Sequence, residues 1–260
     1  MIYNKIISKL CYRICELSHN AQEGHVPSAL SVLDIVWVLY GKILKLSLIK
    51  RKSKNRDFFI MSKGHGCLAQ YAVLEKLNFF NKKDLNSFGS YNSAFGGHPD
   101  ANKINGVEAS TGSLGHGFPF ASGIAYANKL KKYKSRVYVL IGDGECNEGT
   151  IWETCLLASH HHLNNLICIV DKNKSTDRAL KIDNLEKKFK SFGFYTVTID
   201  GHSPSELTKA LKIKSKKPIA IIANTIKGKG VKIMERNQNE WHHKSIDENM
   251  LIKLKTELSR

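Results

Sequence analysis

Five short apolar runs constrain this chain more than any other feature: Phe58 to Met61, Val137 to Ile141, Leu166 to Val170, Tyr195 to Ile199 and Ile219 to Ala223. Runs this short, bounded by polar and glycine-containing segments, read as strands buried on both faces rather than as helices. Between them the apolar spacing turns helical, over Leu114 to Leu130, Trp152 to Leu163 and Pro204 to Leu211. Ahead of them, Ile6, Ile7, Leu10, Ile14 and Leu17 mark an amphipathic helix, and Ser31 to Leu44 a strongly apolar one. Strands alternating with helices imply an α/β fold, a parallel sheet with helices on both faces. No repeat, low-complexity tract or Pro/Ser-rich linker divides the sequence, so residues 1–260 are expected to form one domain. In such sheets ligands bind beyond the carboxyl ends of the strands. Chemistry is therefore expected just after Met61, Ile141, Val170 and Ile199.

Composition excludes more than it identifies. A hydrophobic content of 42% and a charged content of 24% are ordinary for a globular chain. Apolar stretches such as Pro218 to Ala223 are far too short to cross a bilayer. Lys5, Lys9, Arg13 and Glu16 interrupt any signal-peptide core, so a cytoplasmic location is expected. The six cysteines are scattered and form no C-x-x-C pair, as in a reducing compartment. The formal net charge of +17 raises the question of nucleic acid. Its lysines, however, are spread over Lys50 to Lys54, Lys129 to Lys134, Lys187 to Lys190 and Lys212 to Lys217, without interleaved stacking aromatics. They read as a solvated surface, and no specific nucleic-acid or membrane partner is expected.

The sharpest chemical signal is Gly142-Asp143-Gly144-Glu145, directly after one strand and before a helix. The next strand ends in Val170-Asp171-Lys172-Asn173. Two neighbouring strand ends thus offer a carboxylate at Asp143 and an amide carbonyl at Asn173, hard oxygen ligands for Mg²⁺ or Ca²⁺. The flanking glycines let the backbone approach a phosphate near a helix N-terminus. Taken alone the same four residues also suit a plain strand-to-helix turn; the second strand end with Asn173 strengthens the metal reading.

These motifs, with Glu148-Gly149, resemble the metal-binding motif of thiamine-diphosphate enzymes. More specifically the chain resembles the N-terminal part of transketolase, in the form split over two subunits. The likeness rests on ordered motifs: Gly24-His25, Ser62-Lys63-Gly64-His65, Gly97-His98-Pro99, Ser110 to Gly115, Lys227-Gly228-Lys229-Gly230 and Trp241-His242. It departs at His116, where the family usually has Gln, at His243 in place of Gly, at Val26-Pro27, and over Lys174 to Asp183.

The resemblance implies a thiamine-diphosphate-binding fold, with the metal held by Asp143, Asn173 and the backbone carbonyl of Ser175. It implies cofactor contacts from His65, Gly112, Ser113, Leu114, Gly144, Glu145, Asn173 and Lys227, with the helix after the 111–115 loop facing an anion. It assigns His25, His65, His98 and His242 to the substrate channel, where side chains titrating near neutrality suit hydroxyl binding and proton transfer. Glu148 matches a carboxylate near the subunit interface; Lys63 and Lys244 match positions near cofactor and substrate. His160-His161-His162 falls at a helix end, where successive side chains do not share one ligand, and is expected at the surface. The family's pyrimidine-binding domain is expected on a separate C-terminal subunit, two copies of each assembling. The implied reaction transfers a two-carbon ketol unit from a ketose to an aldose, with phosphorylated sugars expected as the substrates. A 2-oxo acid dehydrogenase α subunit and a degenerate, non-catalytic subunit remain the alternatives.

Overall fold

The five runs become five parallel strands among the described residues, each one or two residues longer than its apolar run or equal to it. The computed structural model describes residues 2–23, 25–177, 179–237, 240–242 and 244–258, with the side chain of His242 also outside the described part. In chain order the first half comprises α1 (Ile2–Ala21), α2 (Val26–Val38), α3 (Leu46–Lys50), β1 (Phe58–Met61), α4 (Cys67–Lys76), α5 (Lys82–Leu85) and α6 (Gly117–Leu130). The second comprises β2 (Val137–Gly142), α7 (Gly149–His160), β3 (Leu166–Lys172), α8 (Leu185–Ser191), β4 (Tyr195–Asp200), α9 (Pro204–Leu211), β5 (Ile219–Asn224), α10 (Lys232–Arg236) and α11 (Glu248–Leu258).

The sheet runs β1-β2-β3-β5-β4, all pairs parallel. Because successive strand residues point to opposite faces, β1, β2, β3 and β5 each feed two cores. Phe59, Met61, Tyr138, Leu140, Ile167, Ile169, Ile219 and Ile221 pack with α1, α2, α4 and α9. Ile60, Val137, Val139, Ile141, Cys168, Val170, Ala220 and Ile222 pack with α6, α7 and α8. The helix placement follows from handedness. From β1 to β4 the chain steps in one direction with α6, α7 and α8 on one face. From β4 it steps back to β5, and a right-handed crossover in reverse puts α9 on the other face. β4 is consequently an edge strand with alternate residues exposed, not a strand buried on both faces.

α2 begins at Val26, not Ser31, with Pro27 in its first turn, where a missing N–H costs nothing. All its residues except Trp37 are buried, so it has no polar stripe to reveal its start. With the π-helical turn Leu39–Ile43 that follows, Val26–Ile43 is long and apolar enough to span a membrane by length and composition, contrary to the expectation of uniformly short apolar stretches. It is the central core helix instead, 78% of that span lying inside the fold.

Candidate functional site

A cavity of about 400 Å³ opens at the carboxyl ends of β1, β2 and β3, where the topology places ligands. Its walls bring together residues from distant parts of the chain: His25, Lys63, His65 and His98, then Gly112 and Leu114, then Asp143, Gly144, Glu145, Asn173 and Ser175. The end of β4, expected just after Ile199 to share in the site, is not part of this wall, because β5 lies between β3 and the edge.

Asp143 caps the short helical turn Gly144–Asn147 and is 5% exposed. One carboxylate oxygen accepts from Gly144 N–H at 2.8 Å and the other from Lys174 N–H at 2.6 Å. Burial, followed by the nearby charge of Asp171, pushes its carboxyl up to about 6. Asn173 donates its amide N–H to Asp171 at 2.9 Å and to Ser31 Oγ at 3.2 Å. Those partners fix the amide orientation and leave Oδ1 as the acceptor, met by Ser175 N–H at 3.0 Å. Lys174, between Asn173 and Ser175, has φ 62°, a left-handed conformation uncommon for residues other than glycine. Asp143 and Asn173 Oδ1 are thus two hard oxygen donors on one wall of the cavity, the chemistry a divalent cation requires.

Behind this wall lies a residue that no sequence motif singles out. Asp171 is fully buried and collects donors from four parts of the chain. Lys63 Nζ bonds it at 2.5 Å, Ser31 Oγ at 2.7 and 2.8 Å and Asn173 Nδ2 at 2.9 Å, and the Thr225 hydroxyl also donates to it. Strand parity is the signal that marks it, since Asp171 follows Ile167 and Ile169 on the face toward α2. Glu145 is a second tie, 1% exposed. Its carboxylate accepts from Ser62 Oγ at 2.6 Å, Gly115 N–H at 2.9 Å and Gly142 N–H at 2.8 Å, fastening three loops of the cavity together. Both oxygens are therefore committed within the protein.

The histidines converge as the sequence suggests for three of the four. The His25 and His65 rings lie 5.5 Å apart, and His25 carries φ 71°, another strained position at the cavity. The His98 ring covers Gly64 and Gly112, where an added Cβ would stand 3.0 and 3.2 Å from it. The side chain of His242 and all of Gly24 and His243 lie outside the described residues. Ser113 does not reach the cavity: its hydroxyl meets His116 Nδ1 at 3.2 Å in an adjoining surface groove. The first turn of α6 opens on that same groove rather than into the cavity. Lys227 is buried behind the wall, and desolvation, then the charge of Lys63, lowers its ammonium to about 8. Lys244 pairs with Glu240 at the surface. Glu148 is exposed at the start of α7. Within the histidine run, α7 ends and Lys129 Nζ binds the carbonyls of His161 and His162, leaving a helix terminus rather than a ligand cluster.

Fold and cavity together define a parallel α/β domain of the thiamine-diphosphate-binding class. Residues 3–259 match the family described as transketolase, thiamine diphosphate binding domain, and the chain belongs to that family. It is similar to one of the subunits of the apulose-4-phosphate transketolase of Phocaeicola vulgatus, 34% identical over 239 residues that cover 89% of this chain and 84% of that relative. Transketolase of Mus musculus is 36% identical over 236 residues, 88% of this chain but 38% of the mouse enzyme. The solved transketolase of Leishmania mexicana superposes with a TM-score of 0.85 at 27% identity, covering 99% of this chain and 41% of that one. The chain thus spans most of a relative that is itself named as a subunit, and about two fifths of the longer transketolase chains. It is one component of a thiamine-diphosphate-dependent transferase of the transketolase type, and the 2-oxo acid dehydrogenase alternative is not favoured.

Proposed function

We propose that residues 1–260 form one diphosphate- and metal-binding domain that works with a second chain carrying the pyrimidine-binding domain, transferring a two-carbon ketol unit from a ketose to an aldose. The observation that carries the reading is the wall of Asp143, Asn173 and Ser175 beneath three converging histidines. The donor set fits Mg²⁺, with Ca²⁺ the alternative. It offers one carboxylate, one amide oxygen and one main-chain carbonyl, and Mg²⁺ commonly completes its shell with phosphate oxygens and water. A cation there also offsets the burial, and then the Asp171 charge, that raise Asp143. Gly112, Leu114 and Gly144 present small or apolar surface to the cofactor, and Lys227 with Lys63 supplies positive charge behind the diphosphate. Bound thiamine diphosphate supplies the carbanion-stabilising chemistry. His25, His65 and His98 orient sugar hydroxyls and move protons at the hydroxyl oxygens, with His242 as the fourth such residue.

The partner reading is supported by more than the naming of relatives. α6 and α7 expose Phe120, Tyr126, Leu130, Leu156 and Leu157, and Leu114 in the cavity wall is exposed as well. In a chain with 40 Lys and Arg, none occurs between Lys103 and Lys129 or between Arg136 and Lys172. Loss of basic side chains and gain of exposed apolar ones mark a surface that another chain covers. Two copies of each chain, in the cytoplasm, complete the proposal; the free, buried cysteines suit that compartment.

Isothermal titration of thiamine diphosphate with Mg²⁺ tests it, comparing the chain alone, the chain co-expressed with its genomic neighbour, and Asp143→Ala in that pair. Mg²⁺-dependent binding confined to the pair and abolished by Asp143→Ala is expected, followed by ketol transfer in a sugar-phosphate screen. An assembled pair that binds no cofactor overturns the reading in favour of a degenerate, non-catalytic component.

A further inference from the structure

On the far side of the cavity wall, the turn after β4 places a histidine that belongs to none of the motifs above. His202 Nε2 lies 2.9 Å from the backbone N–H of Ile226. A main-chain N–H only donates, so Nε2 is the bare nitrogen and the ring proton sits on Nδ1. Nδ1 then donates to Asp34 Oδ2 at 2.8 Å, while Asp34 Oδ1 accepts from the Tyr3 hydroxyl at 2.6 Å. Both members of the pair are nearly buried, with side-chain exposures of 10% and 8%. Burying such a pair costs desolvation that an apolar filler would avoid. Every polar end is nonetheless engaged, and the chain of bonds terminates on one main-chain group.

That group is next to Lys227. The Ile226 side chain is 38% exposed, so burial of this side chain does not hold the segment in place. The anchors on either side of the lysine are main-chain bonds: Ile226 N–H to His202, and Gly228 N–H to the Pro27 carbonyl at 2.9 Å. One residue further back, Thr225 donates its hydroxyl to Asp171 and its N–H to the Lys172 carbonyl. α2 organises most of this. Its first turn receives Gly228 and offers the Ser28 carbonyl to Lys63, Ser31 reaches Asp171, and Asp34 holds His202. Ser28, Ser31 and Asp34 recur at a spacing of three on an otherwise apolar buried helix, forming one polar edge toward the 225–228 segment.

We infer that the Asp34–His202 pair is a positioning device for the segment that carries Lys227, setting where the lysine ammonium stands behind the diphosphate-binding wall. This rests on the cofactor reading of Lys227 given above. His202 is not among the residues that line the cavity; it acts through Ile226 and the lysine beside it.

The test uses the chain co-expressed with its partner, titrated with thiamine diphosphate at saturating Mg²⁺. His202→Asn keeps an amide within reach of Asp34 but is too short for Ile226. His202→Gln carries an acceptor out to the position of Nε2. Loss of one main-chain bond predicts about five- to tenfold weaker binding for His202→Asn and a change within about twofold for His202→Gln. In a Lys227→Met background, His202→Asn is expected to weaken binding no further. Reductive methylation of Lys227, followed by peptide mass spectrometry on the cofactor-free pair, is expected to run severalfold faster in His202→Asn only. Equal losses in both backgrounds, or a Gln variant as weak as the Asn variant, would overturn the positioning role. So would wholesale unfolding of His202→Asn, because the role assigned is local. If Lys227→Met alone binds as tightly as wild type, it is the cofactor reading of Lys227 that fails.

Discussion

Replacing Asp171 by Asn perturbs one atom of the buried hub and exposes how much it contributes. Ser31 and the Thr225 hydroxyl bond Oδ1, whereas Lys63 and Asn173 both donate to Oδ2, with Ser31 also within reach of it. An Asn amide oxygen can keep the first pair, but its NH₂ then faces the Lys63 ammonium and the Asn173 amide, donor against donor. The ammonium is left without its carboxylate at 1% side-chain exposure. Breaking a buried pair from one side costs about 3–5 kcal/mol, or roughly 10 °C in unfolding midpoint for a chain of this size. Urea unfolding followed by tryptophan fluorescence and far-UV circular dichroism measures it, provided the two transitions coincide. Lys63→Met is expected to cost a similar amount by stranding Asp171. The double variant removes both charges, so its loss should fall short of the sum by about 2 kcal/mol or more. Additivity within about 0.5 kcal/mol, or an Asp171→Asn loss under about 1 kcal/mol, would refute the hub. No cofactor, metal or partner enters this measurement, so its outcome bears on the architecture alone.

Glu145→Gln retains one acceptor for three donors and is expected to cost about 2 kcal/mol in the same unfolding assay, with weakened cofactor binding as the 111–115 loop loosens. Lys227→Met should stabilise the ligand-free chain by about 1–2 kcal/mol near neutrality, the solvent at the cavity partly screening the buried charge, while weakening thiamine diphosphate in calorimetry. The sign with pH follows from its depressed value. Between about 8 and the unfolded value of 10.5 the unfolded chain binds more protons, so Lys227 makes stability rise with pH across that window. Unfolding free energies at about pH 7.5 and 9.5 should show this rise in wild type and lose that share of it in Lys227→Met. Gly115→Ala forces a side chain onto φ 80° and places its Cβ 2.6–2.7 Å from Thr150 and Glu148. Such strain and overpacking should cost more than about 2 kcal/mol by thermal unfolding and displace Leu114 from the cavity.

The strands were legible because a parallel sheet leaves its apolar runs almost uninterrupted, and their ends told where to look for chemistry. Asp143 and Asn173 were legible for the same reason: each lies within three residues of an apolar run. Helices buried on all sides were not. α2 lost its first five residues, and α4, buried from Cys67 through Leu74, left no amphipathic trace at all. Ser113 shows the limit of a local run. A small residue beside Gly112 and Leu114 looks like part of their surface, yet the backbone turns its hydroxyl toward His116.

What stayed hidden has a common physical cause. Asp171 and the Asp34–His202 pair are buried polar groups, and the tie made by Glu145 is a third such case; most of their partners lie between 24 and 168 positions away, beyond any short sequence window. Burial makes such groups costly unless each donor and acceptor is met, so their presence implies a network before any partner is known. Asp171 sits on an inward-facing strand position and Asp34 on a helix with no solvent face; each therefore had to be satisfied from elsewhere in the chain. The helix that satisfies Asp171 through Ser31 also supports His202 through Asp34 and receives the Lys227 segment at its first turn. One apolar helix, whose polar edge the sequence pattern does not mark, thereby connects the wall that carries Asp143 and Asn173 to the lysine behind it. Substitutions on its polar edge are consequently expected to reach the cavity through these bonds, although none of them lines it.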